Sequence, residues 1–529
     1  MVVNAEIETR YGRIRGSESG GVRSFRGVPY AAALIGSRRF LPPEPPEPWT
    51  GTLEATRPGP SAPQFSMPVF RWINLSGGRP GYDCLSLNVW TPGLDSARRP
   101  VLVWIHGGGF LVGSGSTPVY RGHDLALRGD VVVVTINYRL GALGYAHLGA
   151  VLGDGFAWNL GVRDQIAALE WVRDHADRFG GDPDNVTVFG QSAGGMSVAA
   201  LLGAPRARAL FHRAICMSGA GNHVLDADDA RRVARALLEA LGGPPPSHEA
   251  LARIPVERIL RAQLEVMNRM ADLRRLMVFL PAVDGDLIPE QPLAALRRGA
   301  AARIPILTGT TLEEWKLFRL LDGGIGRFRW ADADRLFAEV LSALPGAPDG
   351  RTARRHFREA LGPRSAARDP YGVWSAFQSA RVFHHASARL AEAQHAGGGR
   401  VHSYLFTWRP PALRRSLGAC HALDIPFVFG STGHPLARPL TGVSAVAPRL
   451  SRRIQHSWIR FARDGEPGHV RLPPWPPYEP SRRSTMILGR ECTLDDAPLE
   501  AERRLLERWT AGGSAARSME GLESKGLAP

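Results

Sequence analysis

Residues 185–202 read NVTVFGQSAGGMSVAALL. A β-branched and aromatic run, Val186 to Phe189, ends at a glycine, a serine stands between Gly190 and Gly194, and small and aliphatic residues continue from Ala193 to Leu202. The first run has strand character and the last helix character. The G-x-S-x-G between them is the pattern of a sharp strand-to-helix turn that exposes a serine hydroxyl. Glycines at 190 and 194 let the helix approach the strand closely while Ser192 is held on a strained backbone. So short a pattern also arises by chance in a chain with 59 glycines, so the surrounding sequence decides its meaning.

Working outward, Leu160 to Phe179 places Ile166, Leu169, Val172, Ala176 and Phe179 at three-to-four-residue spacing, an amphipathic helix closed by Gly180, Gly181 and Pro183. Leu87–Trp90, Val101–Ile105 and VVVVTINY at 131–138 read as buried strands. Strand, helix, strand, turn, helix predicts an α/β fold, a large, mostly parallel sheet flanked by helices. Further helices are expected over 226–241 and 251–270, and strands over 304–308 and 401–406. The stretch 42–63, rich in proline, reads as irregular. A mainly helical stretch at about 317–395 reads as an insertion roofing the site. Residues 1–509 are expected to form one domain, with 510–529 a disordered tail on composition. Directly after Val101–Ile105 comes HGGGF at 106–110, a glycine loop suited to presenting backbone amides. With the elbow, it predicts an oxyanion hole from the amides of Gly108, Gly109 and Ala193, which would stabilise the tetrahedral intermediate of ester hydrolysis by several kcal/mol.

Composition narrows the function classes. The net charge is +15, yet Lys316 and Lys525 are the only lysines, so the basic excess is arginine and reads as a solvated surface. No block of like charge supports nucleic-acid binding. Four cysteines without CxxC spacing indicate neither a metal knuckle nor a disulfide framework, and the first ten residues hold no secretory signal. No apolar run approaches the ~20 residues of a bilayer span. The expectation is a soluble cytoplasmic protein. No GxGxxG, P-loop lysine or HExxH occurs, so neither cofactor nor metal is expected.

In order along the chain, FRGVPYA (25–31), YDCLSLNVW (82–90), WIHGGGF (104–110), GQSAGG (190–195), PAVDGDLIP (281–289), GTTLEEW (309–315), CHALDIPFVFG (420–430) and WIRFARDGEP (458–467) resemble the type-B carboxylesterase family. The resemblance spans roughly residues 5–495 and implies an α/β-hydrolase fold. It places the catalytic acid on Glu314 and the base on His421, with Ser192 as nucleophile. The residues alone would not have chosen these two, since twelve histidines follow Ser192. Glu313 stands as the alternative acid. The implied activity is hydrolysis of small or aromatic neutral esters through an acyl-enzyme. The same triad on carbamates, thioesters or an acyl-transfer substrate is the alternative, and a catalytically silent binding module the rival. The implied partner is a small-molecule ester; oligomeric state is not readable.

The chain departs from the family pattern at several positions. Tyr82 stands where the family has a glutamate paired with the arginine at Arg39, leaving Asp83 or another carboxylate to replace it. Trp315 stands where a glycine usually follows the acid, so the loop must hold Glu314 without a glycine's freedom at positive φ. Cys84 meets Ala62 where many members have a disulfide partner, so a buried free thiol is expected. Ser218 is expected to support the acid or a strand end. Met67, Phe70, Trp72 and Ile73 are expected at an apolar site entrance, and His384 and His385 on a helix surface.

Overall fold

The computed structural model describes residues 3–65, 77–153, 155–243, 247–270, 277–320, 328–342, 344, 346–411, 413 and 416–511. Met67, Phe70, Trp72 and Ile73 lie outside these residues, as does 512–529 of the expected tail. The described strands are β1 Val3–Thr9, β2 Gly12–Ser19, β3 Val22–Pro29, β4 Thr52–Glu54, β5 Ser86–Thr91, β6 Arg99–Ile105, β7 Val132–Ile136, β8 Gly181–Gln191, β9 Arg213–Met217, β10 Ile306–Thr311, β11 Val401–Phe406, β12 Ser484–Leu488 and β13 Cys492–Asp496. They form one sheet in the order β1-β2-β3-β5-β7-β6-β8-β9-β10-β11-β12-β13, with β4 beside β2. Pairings from β7 through β12 are parallel; those of β1-β2, β2-β3, β3-β5, β5-β7 and β12-β13 are antiparallel.

This is the α/β-hydrolase fold that the motifs implied. Its strands β5, β6, β7 and β10 are buried along their whole length because both faces are covered. In β6, Val101, Val103 and Ile105 join the cluster that holds Ile166 and Leu169 of helix Leu160–His175. Leu102 and Trp104 point the other way, to Leu450, Ile454 and Trp458 of helix Val446–Asp464. Period-two alternation therefore builds two cores from one strand.

The structure corrects several expectations. The antiparallel strands β1–β3 and β12–β13 carry polar residues on one face, so no continuous apolar run marked them. The stretch 42–63 contains the short β4. The helix expected over 251–270 is two, His248–Arg253 and Val256–Met270. Pro255 disfavours helical backbone at the preceding residue, and Ile254 is extended at φ −65°, ψ 124°. The strand expected at 304–308 runs instead from Ile306 to Thr311, because Thr310 and Thr311 pair with Leu405 and Phe406 of β11. Between β10 and β11, helices Trp330–Leu341, Gly350–Ala360 and Pro370–Ser379 build their own apolar cluster with Leu506 and Trp509 of the C-terminal helix.

No carboxylate takes the place opposite Arg39 among the described residues. Its guanidinium lies 4.9 Å from the Tyr82 ring centroid, and Nη1 donates to the carbonyls of Ala252 (2.6 Å) and Ile254 (2.9 Å). Nε and Nη2 find no acceptor among the described residues, and burial holds the guanidinium below its ordinary value. A cation–π contact thus stands in for the ion pair. Tyr82→Ala is expected to cost about 1–2 kcal/mol, whereas Tyr82→Glu, which offers the buried cation a carboxylate, should keep or raise the melting temperature; thermal melts of both variants check this. Cys84 is a buried free thiol, which burial pushes up to about 12, so it is chemically inert near neutral pH. Among the described residues no helix is long and apolar enough to cross a membrane.

Candidate active site

Strand β8 ends at Gln191 and the helix Ala193–Gly203 starts two residues later. Ser192 between them has φ 59°, ψ −126°, a conformation kept only where the surroundings enforce it. A Cβ on Gly194 would fall 2.0 Å from the Ile105 carbonyl oxygen, so only glycine lets the helix meet β6 here. Ser192 remains half-exposed at this turn, its own amide donating to the Met217 carbonyl at 2.9 Å.

The loop after β6 lies against the elbow: a Cβ on Gly107 would sit 3.1 Å from the Ser192 Cβ. His106 steadies this loop from below. It is buried, faces the Gly107 carbonyl through Nδ1 at 2.8 Å and stacks on Tyr138 at 4.5 Å, and burial pushes it down to about 4, so it is neutral near pH 7. The amides of Gly108, Gly109 and Ala193 have no acceptor among the described residues. A buried amide nearly always finds a partner, so the open amide of fully buried Ala193, with those of the two half-buried glycines beside the serine, can receive an oxyanion.

Glu314 is fully buried, just past β10. Its Oε1 accepts from the Ser218 hydroxyl (2.6 Å) and the Thr311 amide (2.7 Å), and its Oε2 from His421 Nδ1 (2.5 Å). Burial by itself would raise the carboxyl, but the imidazole, the hydroxyl and the amide more than offset it and hold Glu314 below the usual glutamate value. Glu313 points elsewhere, to Lys316 Nζ (2.6 Å), Arg409 Nε (2.8 Å) and the Ala419 amide (2.9 Å). Ser218 supports Glu314 directly. Trp315 does not have positive φ; its amide donates to Ser379 Oγ at 2.9 Å and its ring packs on Phe318 at 4.8 Å, so the loop needs no glycine there.

His421 and Glu314 are brought together, whereas no hydrogen bond joins Ser192 Oγ to His421 among the described residues. Gln191 Nε2 instead lies 3.2 Å from His421 Nε2. With Nδ1–H donated to Glu314, Nε2 is an acceptor; the Gln191 amide, 3.4 Å from Nδ1 as well, sits off the in-plane lone pair of Nε2, which is left for the serine contact. Such contacts are commonly loose without substrate. Sequence reading missed Gln191 and also the rings of Phe318 and Phe383, which lie 5.3 and 4.8 Å from the imidazole centroid. His384 and His385 are half-buried rather than on a helix surface. His384 Nε2 donates to the Thr311 carbonyl at 2.9 Å, and burial lowers both rings, because a π-turn at Ala380–His384 rotates them inward.

Asp424, also unread in the sequence, is buried beside this pair. Tyr404 donates to its Oδ2 at 3.1 Å, while Oδ1 has no partner among the described residues. Burial, and then the charge of Glu314, push it up to about 7. A raised folded value means that the folded chain holds this proton more tightly than the unfolded one, so its contribution is full below about pH 4 and lost as pH rises through about 7. Asp424→Asn should therefore raise the melting temperature at pH 8 by a few degrees and leave it unchanged at pH 4. Melting curves across that range check this.

The sequence pattern of the carboxylesterase family matches residues 3–505. The chain is 38% identical over 503 residues to a para-nitrobenzyl esterase of Bacillus subtilis, covering 94% of this chain and 97% of the other. It is 34% identical over 501 residues to a phenmedipham hydrolase of Pseudarthrobacter oxydans, covering 93% and 96%. A carboxylesterase structure from Geobacillus stearothermophilus superposes with a TM-score of 0.83 at 39% identity, over 95% of this chain and 99% of that one.

Proposed function

Because the chain belongs to the carboxylesterase family and is a hydrolase of ester bonds, we propose that Ser192, His421 and Glu314 form its catalytic triad. The observation that carries this reading is the buried Glu314–His421 pair, fastened by Ser218 and Thr311, beside a serine held at a strained turn. His421 Nε2 takes the Ser192 proton as Oγ attacks the ester carbonyl. The amides of Gly108, Gly109 and Ala193 receive the developing oxyanion. Glu314 keeps Nδ1 protonated and stabilises the imidazolium, which then protonates the leaving alcohol. Water, activated by the same imidazole, releases the acyl group as a carboxylic acid.

The preferred substrates are small or aromatic neutral esters. Support comes from Phe318 and Phe383, which flank the imidazole and offer an apolar wall. Phe318→Ala is expected to raise KM for phenyl esters about tenfold, the equivalent of ~1.4 kcal/mol of lost aromatic contact, and to change methyl esters less. Steady-state kinetics on the two ester series read this directly. The triad itself is tested with para-nitrophenyl acetate and butyrate, with and without a serine-reactive organophosphate. Turnover that the reagent abolishes, with its phosphoryl group added at Ser192 and its leaving group released, is expected. Absence of both turnover and label would point to a silent binding module, and efficient transfer to an added alcohol in place of water would point to an acyltransferase.

A further inference from the structure

The helical insertion carries a concentration of charge that ester hydrolysis does not use. From Arg351 to Arg368 a third of the residues are arginine, where the whole chain has 65 Lys plus Arg in 529. Arg351, Arg354, Arg355, Arg358, Arg364 and Arg368 line one groove of ~760 Å³, and Glu359 is the one carboxylate among its described lining residues. That volume lies within the range of small-molecule sites, about 300–1,000 Å³.

Three of these side chains are held in place. Arg354 and Arg358 stack on the Trp330 ring at 4.7 and 5.1 Å, Arg354 also pairing with Asp334 and Arg358 Nε donating to the Ala367 carbonyl at 3.0 Å. Arg364 pairs with Glu502. Arg351, Arg355 and Arg368 are exposed and make no ion pair with a described residue. Arg351, Arg354, Arg355 and Arg358 stand three and four residues apart on the helix Gly350–Ala360, where like charges repel, and Arg351 lies in its first turn, where the helix dipole disfavours a cation. An arginine-rich composition would scatter charge over the surface. Here it converges on a concave site, where the guanidinium forks of Arg351, Arg355 and Arg368 have no described carboxylate partner and are free to take phosphate oxygens in pairs.

We propose that this groove binds a small anion carrying two or more phosphate groups, with Arg351, Arg355 and Arg368 as its principal contacts. Arg364 links the groove to a smaller cavity it lines with Lys316 and Arg409 around Glu313.

Inorganic tripolyphosphate serves as the probe, titrated calorimetrically into the full chain at constant ionic strength, with chloride and monophosphate as references. The expected result is a dissociation constant of about 10–100 µM for tripolyphosphate, at least tenfold tighter than monophosphate, with a raised melting temperature. The triple variant R351Q/R355Q/R368Q should lose at least tenfold in affinity while turning over para-nitrophenyl butyrate as the parent does, which shows that it is folded. Tripolyphosphate binding no tighter than monophosphate, or binding unchanged in the triple variant, would overturn the proposal. So would retention of single-stranded DNA or phosphatidylserine vesicles through the same arginines with tripolyphosphate ignored.

Discussion

Ser192→Ala is expected to lower kcat for para-nitrophenyl butyrate by about 10⁵- to 10⁶-fold, leaving a residue of roughly 10³-fold over water from the amides and binding alone. The size of the loss follows from what the turn is built for. The elbow holds a strained Ser192, and its glycines give up side chains so that β6, the amide loop and the helix can meet around one hydroxyl. Alanine fits the same backbone, so the variant should fold with an unchanged melting temperature and fail only in chemistry. His421→Ala should cost about as much, and the double variant scarcely more, because nucleophile and base act as a unit. Active-site titration with an organophosphate, together with kcat, checks both points. A double variant whose losses multiply would show that imidazole and hydroxyl do not cooperate.

Glu314→Gln is expected to reduce kcat by about 10⁴-fold, whereas Glu313→Gln should change it by less than about threefold. Glu314 Oε1 accepts two donors, Ser218 and Thr311, and Oε2 accepts a third from His421. A glutamine has one oxygen to offer. If that oxygen stays with the hydroxyl and amide, its NH₂ faces His421 Nδ1 and forces the imidazole to place its proton on Nε2, where it cannot accept the serine proton. The negative charge opposite the imidazolium is lost as well. Acid stability should change too. A carboxyl held low in the fold contributes stability above the ordinary glutamate value and loses it as pH falls through the lowered one. That acid-side loss should be smaller in Glu314→Gln, and melting curves below pH 5 would reveal it. Glu313→Gln instead releases Lys316 and Arg409 from their shared carboxylate and should cost about 1–3 kcal/mol of stability without touching the chemical step.

The parts of the fold legible in the sequence were those with a local signal. The buried strands β5 to β8 contain short apolar runs between punctuating residues, and the helix Leu160–His175 has its apolar stripe at helical spacing. The antiparallel flank β1–β3 went unread because half of each strand faces water and breaks the run. Arg39 illustrates a subtler limit. A missing carboxylate suggested another acid in its place, yet the Tyr82 ring and two carbonyls took the cation, a solution that depends on where the chain passes near residue 252.

The place of the serine turn was decided by the sequence itself, since the glycines at 190 and 194 that leave room for close backbone approach flank Ser192 in one short stretch, while its strained φ is enforced by the strands packed around it. Which acid and which imidazole meet was decided by the tertiary structure. Glu314 lies 96 residues from Ser218 and His421 lies 107 residues from Glu314, and neither contact has a local signature. They form because β8, β9, β10 and β11 stand side by side in parallel register, so that the loops leaving their ends, which carry Ser192, Ser218, Glu314 and His421, open at one place. The choice of Glu314 over its neighbour follows from the same register, which carries β10 on to Thr311 and turns one glutamate toward the imidazole and the other toward Lys316 and Arg409.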